Sequence, residues 1–173
     1  LSLTHNQLSG AVPQLNLLKR IVAVNLAHNQ LKGSIPKLGT IERLRYLNLS
    51  HNRLTGEIPE LSGLQELRVL SLRNNQLTGS IADLTQLVNL REIYLSDNQL
   101  TGSFPPIETL SYLTYIHLFN NQLCGELPTA LTELFYLKSI YIDNNHFTTQ
   151  DANLITFLNE FNPGWQTTQT ACP

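Results

Sequence analysis

The sequence predicts an α/β solenoid. Short coils stack along one axis, with a parallel sheet on the concave side, 3₁₀ or extended segments on the convex side and a C-terminal capping helix. Three observations predict this. Leucine fills 34 of the 173 positions and asparagine 17, while charged residues make up only 14%. Asparagine recurs at a nearly constant interval: Asn6, Asn29, Asn52, Asn75, Asn98, Asn121 and Asn145, spaced 23, 23, 23, 23, 23 and 24 residues apart. After residue 149 the period stops and an amphipathic helical pattern replaces it. Self-similarity at such a period is the signature of stacked repeats, none of which can bury its own apolar face alone.

Each element follows from the register. In Tyr46-Leu47-Asn48-Leu49-Ser50 polar and apolar residues alternate, which makes a short strand with Leu47 and Leu49 on one face. Val24/Leu26, Leu70/Leu72, Ile93/Leu95, Ile116/Leu118 and Ile140/Ile142 hold the same places. The chain then turns at the repeated Asn. Buried there, its amide can bond backbone groups of its own and neighbouring coils, which a sharp corner leaves unpaired. The seven asparagines therefore form a ladder. Four residues on stands a glycine (Gly10, Gly33, Gly56, Gly79, Gly102, Gly125), suited to positive φ or to close approach between coils. An extended Ile-Pro step follows, as at Ile35-Pro36 and Ile58-Pro59, because the residue before proline avoids the α region. The return segment carries apolar residues three apart (Leu61, Leu64, Leu67, then Leu70), a spacing that suits 3₁₀ or loose turns rather than an α-helix.

The pattern LxxLxxLxLxxNxLxGxIP resembles a leucine-rich repeat of the plant and extracellular type. Residues 41 to 59 show it in full: Ile41, Leu44, Leu47, Leu49, Asn52, Leu54, Gly56, Ile58, Pro59. The resemblance covers residues 1 to 149 as seven coils, the first incomplete, and implies a right-handed superhelix. Five intervals are one short of the 24 residues usual for the class. Only the Asn121 coil restores the residue, in Pro128-Thr129-Ala130-Leu131. Six strand spacings of about 4.8 Å predict a sheet roughly 29 Å across.

The two ends differ. Leu1-Ser2-Leu3 already reads as the middle of a strand, and the opening residues are unlike a secretion signal. The expectation is a chain drawn from a longer protein. Residues 150–173 read as a helical cap. Apolar residues at 154, 155, 157, 158 and 161 give an amphipathic helix. Thr149 or Asp151 serves as N-cap, Pro163-Gly164 is the stop, and Trp165 is free to fold back over the last coil. The tail Phe161 to Thr170 resembles the capping region of secreted bacterial leucine-rich repeat proteins. Cys124 and Cys172 could bond and pin this cap in an oxidising compartment, or stand as two thiols.

Composition and motifs bound the function. Eleven Lys+Arg against thirteen Asp+Glu leave a net charge of −2, unlike a nucleic-acid binder. No uninterrupted apolar run approaches the 18 or so residues of a membrane span. HExxH, CxxC, GxSxG, Walker-type and GxGxxG spacings are absent, and the carboxylates are scattered along return segments. The reading is therefore a non-enzymatic protein without cofactor or metal. His5, His28 and His51 precede the ladder Asn in successive coils. A column of stacked imidazoles could take a metal or sense pH, but Asn74, Asp97, Asn120 and Asn144 continue it as an ordinary polar column. Asn48-Leu49-Ser50 matches a glycosylation sequon that Asn/Ser-rich repeats produce by chance.

Three columns project from the concave sheet. The first reads Ala23, Tyr46, Val69, Glu92, Tyr115, Ser139; the second Ser2, Asn25, Asn48, Ser71, Tyr94, His117, Tyr141; the third Thr4, Ala27, Ser50, Arg73, Ser96, Phe119, Asp143. The early coils are small and polar. The late ones gather Tyr94, Tyr115, His117, Phe119 and Tyr141, with Arg73 at the margin. Tyr and Arg are enriched in interface hot spots, so these six are the candidate partner-binding residues. The family mostly binds proteins or peptides, and the resemblance implies such a ligand for a secreted or cell-surface protein. Aromatics on a rigid sheet also suit a carbohydrate. A self-associating surface or adhesin module, a receptor ectodomain fragment and a plant-type secreted enzyme inhibitor share the repeat and stay open.

Overall fold

Each coil after the first starts with three residues of strand, because the β-branched or leucine side chain at its centre is buried in the core. The structure, a computed structural model, describes residues 1–39 and 41–172. Thr40 and Pro173, which fall in the two expected segments, lie outside the described residues. The concave sheet is six-stranded and wholly parallel, made of Ala23–Asn25, Tyr46–Asn48, Val69–Ser71, Glu92–Tyr94, Tyr115–His117 and Ser139–Tyr141, side by side in chain order. A bridge between Ser2 and Asn25 extends it toward the first coil. Ala23 pairs with Tyr46, Tyr46 with Val69, Val69 with Glu92, Glu92 with Tyr115 and Tyr115 with Ser139, so the predicted columns are columns in space.

From its residues the stretch after the turn is expected to be a corner and an extended step. The structure instead builds a second parallel sheet there, from Ser9–Gly10, Gln30–Gly33, Arg53–Glu57 and Gln76–Thr78. A bridge from Ser80 to Thr101 and the pair Cys124–Glu126 with His146–Thr148 carry the same edge toward the C-terminus. Strands of two to five residues, bent at or next to a glycine, are too short to show period-2 alternation, and only stacking pairs them. The six repeat glycines take φ between +75° and +102° at the bend in this sheet, where any Cβ would be strained.

The return segments realise the three-residue spacing as consecutive i→i−3 bonds. Leu64 N donates to Leu61 O and Leu67 N to Leu64 O, each at 2.8 Å, and the same bonds recur in the next coils. The 24-residue coil, with its extra residue, forms the five-residue 3₁₀ helix Thr129–Glu133. One continuous core of buried leucine and isoleucine runs from Val12 through every coil to Leu154, Leu158 and Trp165 of the cap. The pattern places Leu3 and Leu8 in the core as well. They are instead exposed, because no described coil packs over that side of the first turn.

The capping helix is Ala152–Phe161. Asp151, not Thr149, caps it, accepting from the backbone N–H of Asn153 (2.8 Å) and Leu154 (2.9 Å). Thr149 Oγ1 accepts from Asp151 N instead. Past the helix, Gly164 at φ +79° reverses the chain and buries Trp165 against the last coil. The cap stands in for a coil by means of side-chain amides. Asn162 Oδ1 accepts from Ile142 N, Gln169 Nε2 donates to Ile142 O, and Gln169 Oε1 accepts from Phe147 N. Cys124 and Cys172 are bonded, with Cα atoms 5.7 Å apart.

Candidate functional site

The concave surface rests on the turns that hold its strands in register. Asn121 shows the bonding of a rung. Its Nδ2 donates to Leu95 O of the preceding coil (3.1 Å) and to Leu118 O of its own (2.9 Å), and its Oδ1 accepts from Leu100 N (3.0 Å). Asn29, Asn52, Asn75, Asn98 and Asn145 repeat the arrangement. Asn6 bonds Leu3 O and Thr4 O within its own coil.

The residue before each rung is the structural surprise. His5, His28, His51, Asn74, Asp97, Asn120 and Asn144 all lie in the left-handed region, at φ +53° to +58°. Asn, Asp and His are the residue types enriched there among those with a Cβ, so backbone geometry accounts for the composition of the column. The three imidazoles stack at 4.2 and 4.1 Å with planes 14° and 11° apart. Among the described residues no group of three or more His, Cys, Asp or Glu is placed to hold a metal. Burial, and then the neighbouring His28 and Arg73 charges, hold the His51 pKa below its ordinary value. Further along, the column becomes a hydrogen-bonded chain: Arg73 Nε to Asp97 (3.0 Å), Asn120 to Asp97 (2.6 Å) and Asn144 to Asn120 (2.6 Å).

Four of the six candidate residues form one aromatic cluster on adjacent strands. Tyr94 stacks on Tyr115 at 6.4 Å and meets the edge of His117 at 5.0 Å, and His117 lies 4.7 Å from Tyr141. Tyr94 Oη donates to Glu92 at 3.0 Å. Burial and that carboxylate push the phenol's pKa well up, so it stays protonated. His117 Nε2 is 2.7 Å from Ser139 Oγ, and burial followed by the Arg73 charge lowers its pKa to about 4. The imidazole is thus neutral at physiological pH. The other two candidates make a neighbouring pair. Arg73 reaches past the buried Ser96 to the Phe119 ring, 5.3 Å from its centroid, while also holding Asp97. Tyr141 is the most exposed of the rings; the others are half-buried against each other. The sequon residue Asn48 is half-buried and engaged, its Nδ2 donating to Tyr46 Oη at 3.1 Å and its Oδ1 accepting from Ser50.

Three further aromatics escaped the column reading: Tyr112, Phe135 and Tyr136. They sit in the return segments, just ahead of the strands. Phe135 is 91% exposed, and Tyr112 stacks on Tyr136 at 6.1 Å. Extending the column alignment three residues upstream of each strand would have exposed the Tyr112/Tyr136 match.

Residues 42–87 and 88–136 each match the family described as Leucine Rich repeats (2 copies). No curated protein matches the chain. Among solved structures, PEPR1-AtPEP1 is 38% identical over 85% of this chain and 21% of its own, with a TM-score of 0.82. The LRR ectodomain of the Arabidopsis receptor kinase HAESA, in complex with an N-terminally extended IDA peptide hormone ligand, is 30% identical over 95% of this chain, with a TM-score of 0.86. This chain spans 29% of that ectodomain. A Pollen Receptor Kinase 3 structure is 30% identical over 87% of this chain and 76% of its own, with a TM-score of 0.78. The coil register, the Asn rungs and these matches together identify the chain as a member of the leucine-rich repeat family, of the plant and extracellular type.

Proposed function

We propose that residues 1–149 form a recognition solenoid, capped by residues 150–173, that binds a peptide or an extended protein segment across the late half of its concave face. The observation that carries this reading is the aromatic cluster Tyr94–Tyr115–His117–Tyr141 on a rigid parallel sheet, with Arg73 over Phe119 beside it. Large rigid side chains offer contact area at low entropic cost, and Tyr and Arg dominate interface hot spots. A HAESA structure of the same fold holds a peptide hormone. The Cys124–Cys172 bond supports an oxidising, secreted or cell-surface setting. A receptor-like ectodomain segment suits this reading better than an adhesin, because the aromatics gather at one end instead of repeating in every coil.

The test is selection of a displayed random-peptide library on the folded chain, followed by titration of the enriched peptides. Peptides enriched on the parent are expected to bind the Phe119→Ala/Tyr141→Ala variant at least tenfold more weakly. Equal affinity for both would remove the concave patch as the binding site. Micromolar self-association in light scattering would favour the surface-assembly alternative.

A further inference from the structure

A second surface lies outside the concave patch, along the leading edge of the sheet. The residue just before each concave strand is, in turn, Val22, Arg45, Arg68, Arg91, Thr114 and Lys138. Their backbones join in one line: Arg68 N donates to Arg45 O, Arg91 N to Arg68 O, Thr114 N to Arg91 O and Lys138 N to Thr114 O, at 2.7–2.9 Å. Strands stand about 4.8 Å apart, so the row sets four cations along an edge of about 19 Å. Arg45 is held by Glu66 at 3.2 Å. Among the described residues the only other ion pair is Arg73–Asp97, so Arg68, Arg91 and Lys138 carry uncompensated charge on a chain of net charge −2.

At this uncompensated end the rim becomes aromatic. Arg91, Thr114 and Lys138 line a cleft of about 330 Å³ together with Tyr112 and Tyr136. The two rings stack at 6.1 Å and stay 50% and 61% exposed. Packing leaves these apolar rings in water without a core role, and the fold repeats no other aromatic at these register positions.

We propose that this rim binds a linear acidic polysaccharide, a chain of linked uronic acids. Its carboxylates pair with Arg68, Arg91 and Lys138, and its pyranose rings lay their C–H faces on Tyr112 and Tyr136. The spacing supports a polymer, since Arg68 and Arg91 on adjacent coils and Lys138 two coils further set separate cations along one line, which matches a ligand with repeated anions. The tyrosines support a sugar, since a pyranose face is apolar and an aromatic face carries partial negative charge. A nucleic acid fits less well, because its affinity rests on a broad basic surface that this acidic chain lacks.

The experiment is native affinity electrophoresis at pH 7 and low salt, in gels containing polygalacturonate, neutral dextran or poly-glutamate. The parent is expected to be retarded by polygalacturonate, unaffected by dextran and at least tenfold less sensitive to poly-glutamate. Retardation should fade as salt screens the rim. Arg91→Ala/Lys138→Ala and Tyr112→Ala/Tyr136→Ala alter exposed side chains, and circular dichroism checks that both variants fold. Each should raise the half-retarding polygalacturonate concentration at least tenfold, while Phe119→Ala/Tyr141→Ala leaves it unchanged. Absence of retardation in the parent overturns the proposal. So does retardation of both rim variants equal to the parent's, equal retention of the parent by poly-glutamate, or a loss confined to the concave variant.

Discussion

A single asparagine side chain in this fold replaces several backbone partners that a corner takes away. Asn121 satisfies carbonyls on two coils and an N–H on a third segment at once, all out of water. Asn121→Ala is therefore expected to destabilise the chain by about 2–4 kcal/mol, since buried groups are left unpaired. Urea unfolding followed by circular dichroism measures this, and a loss below about 0.5 kcal/mol would mean that water takes over the rung. His117 gives a pH signature at the same scale. Its folded pKa of about 4 lies below the ordinary 6.5, so folding favours the neutral ring. The stability it contributes is fully present above pH 6.5 and is lost as pH falls from there toward 4. His117→Asn is expected to flatten that part of the stability–pH curve, and an unchanged slope there would assign it to other groups. The residue types just ahead of each rung were legible in the sequence, yet their cause was not. The shared φ near +55° is a torsion angle, and only a folded backbone displays it.

At the scale of elements, the cap shows how local signals and tertiary contacts divide the work. The amphipathic stretch was readable because a helix announces its apolar period within a dozen residues; its start was narrowed to Thr149 or Asp151, and the bonds from Asn153 N and Leu154 N decide for Asp151. Asp151→Ala is expected to cost about 1 kcal/mol, read as a lower urea midpoint with the repeat strands intact. A full loss of sheet signal would make the cap a folding nucleus instead. How the cap ends the sheet was not readable. Asn162 and Gln169 imitate the missing coil with side-chain amides, and that role depends on where the chain reverses at Gly164. The second sheet was hidden for a related reason. Its strands are two to five residues long and pair only with neighbours 21 or 22 residues away.

At the scale of the whole molecule, stability is a property of interfaces between coils. Leu72, 1% exposed, sits in the middle coil and packs into a core shared from Val12 to Trp165. Leu72→Ala is expected to cost about 2–5 kcal/mol, and a urea melt matching the parent would deny the continuous core. The Cys124–Cys172 bond closes a separation of 48 residues and adds roughly 2–4 kcal/mol by restricting the unfolded chain. The same stacking turns sequence columns into surfaces. It brings Tyr94, Tyr115, His117 and Tyr141 into contact although 47 residues separate the first from the last. It also lines up Arg68 with Arg91 along one edge and sets Arg91 and Lys138 beside Tyr112 and Tyr136. The sequence by itself determined the coil, its core positions, its rungs and the register of its concave columns, because a period repeated seven times encodes one local structure seven times. Only the tertiary structure decided which side chains are left in water, which charges lack partners and which aromatics touch. Those properties arise between coils, where distance is set by stacking rather than by separation along the chain.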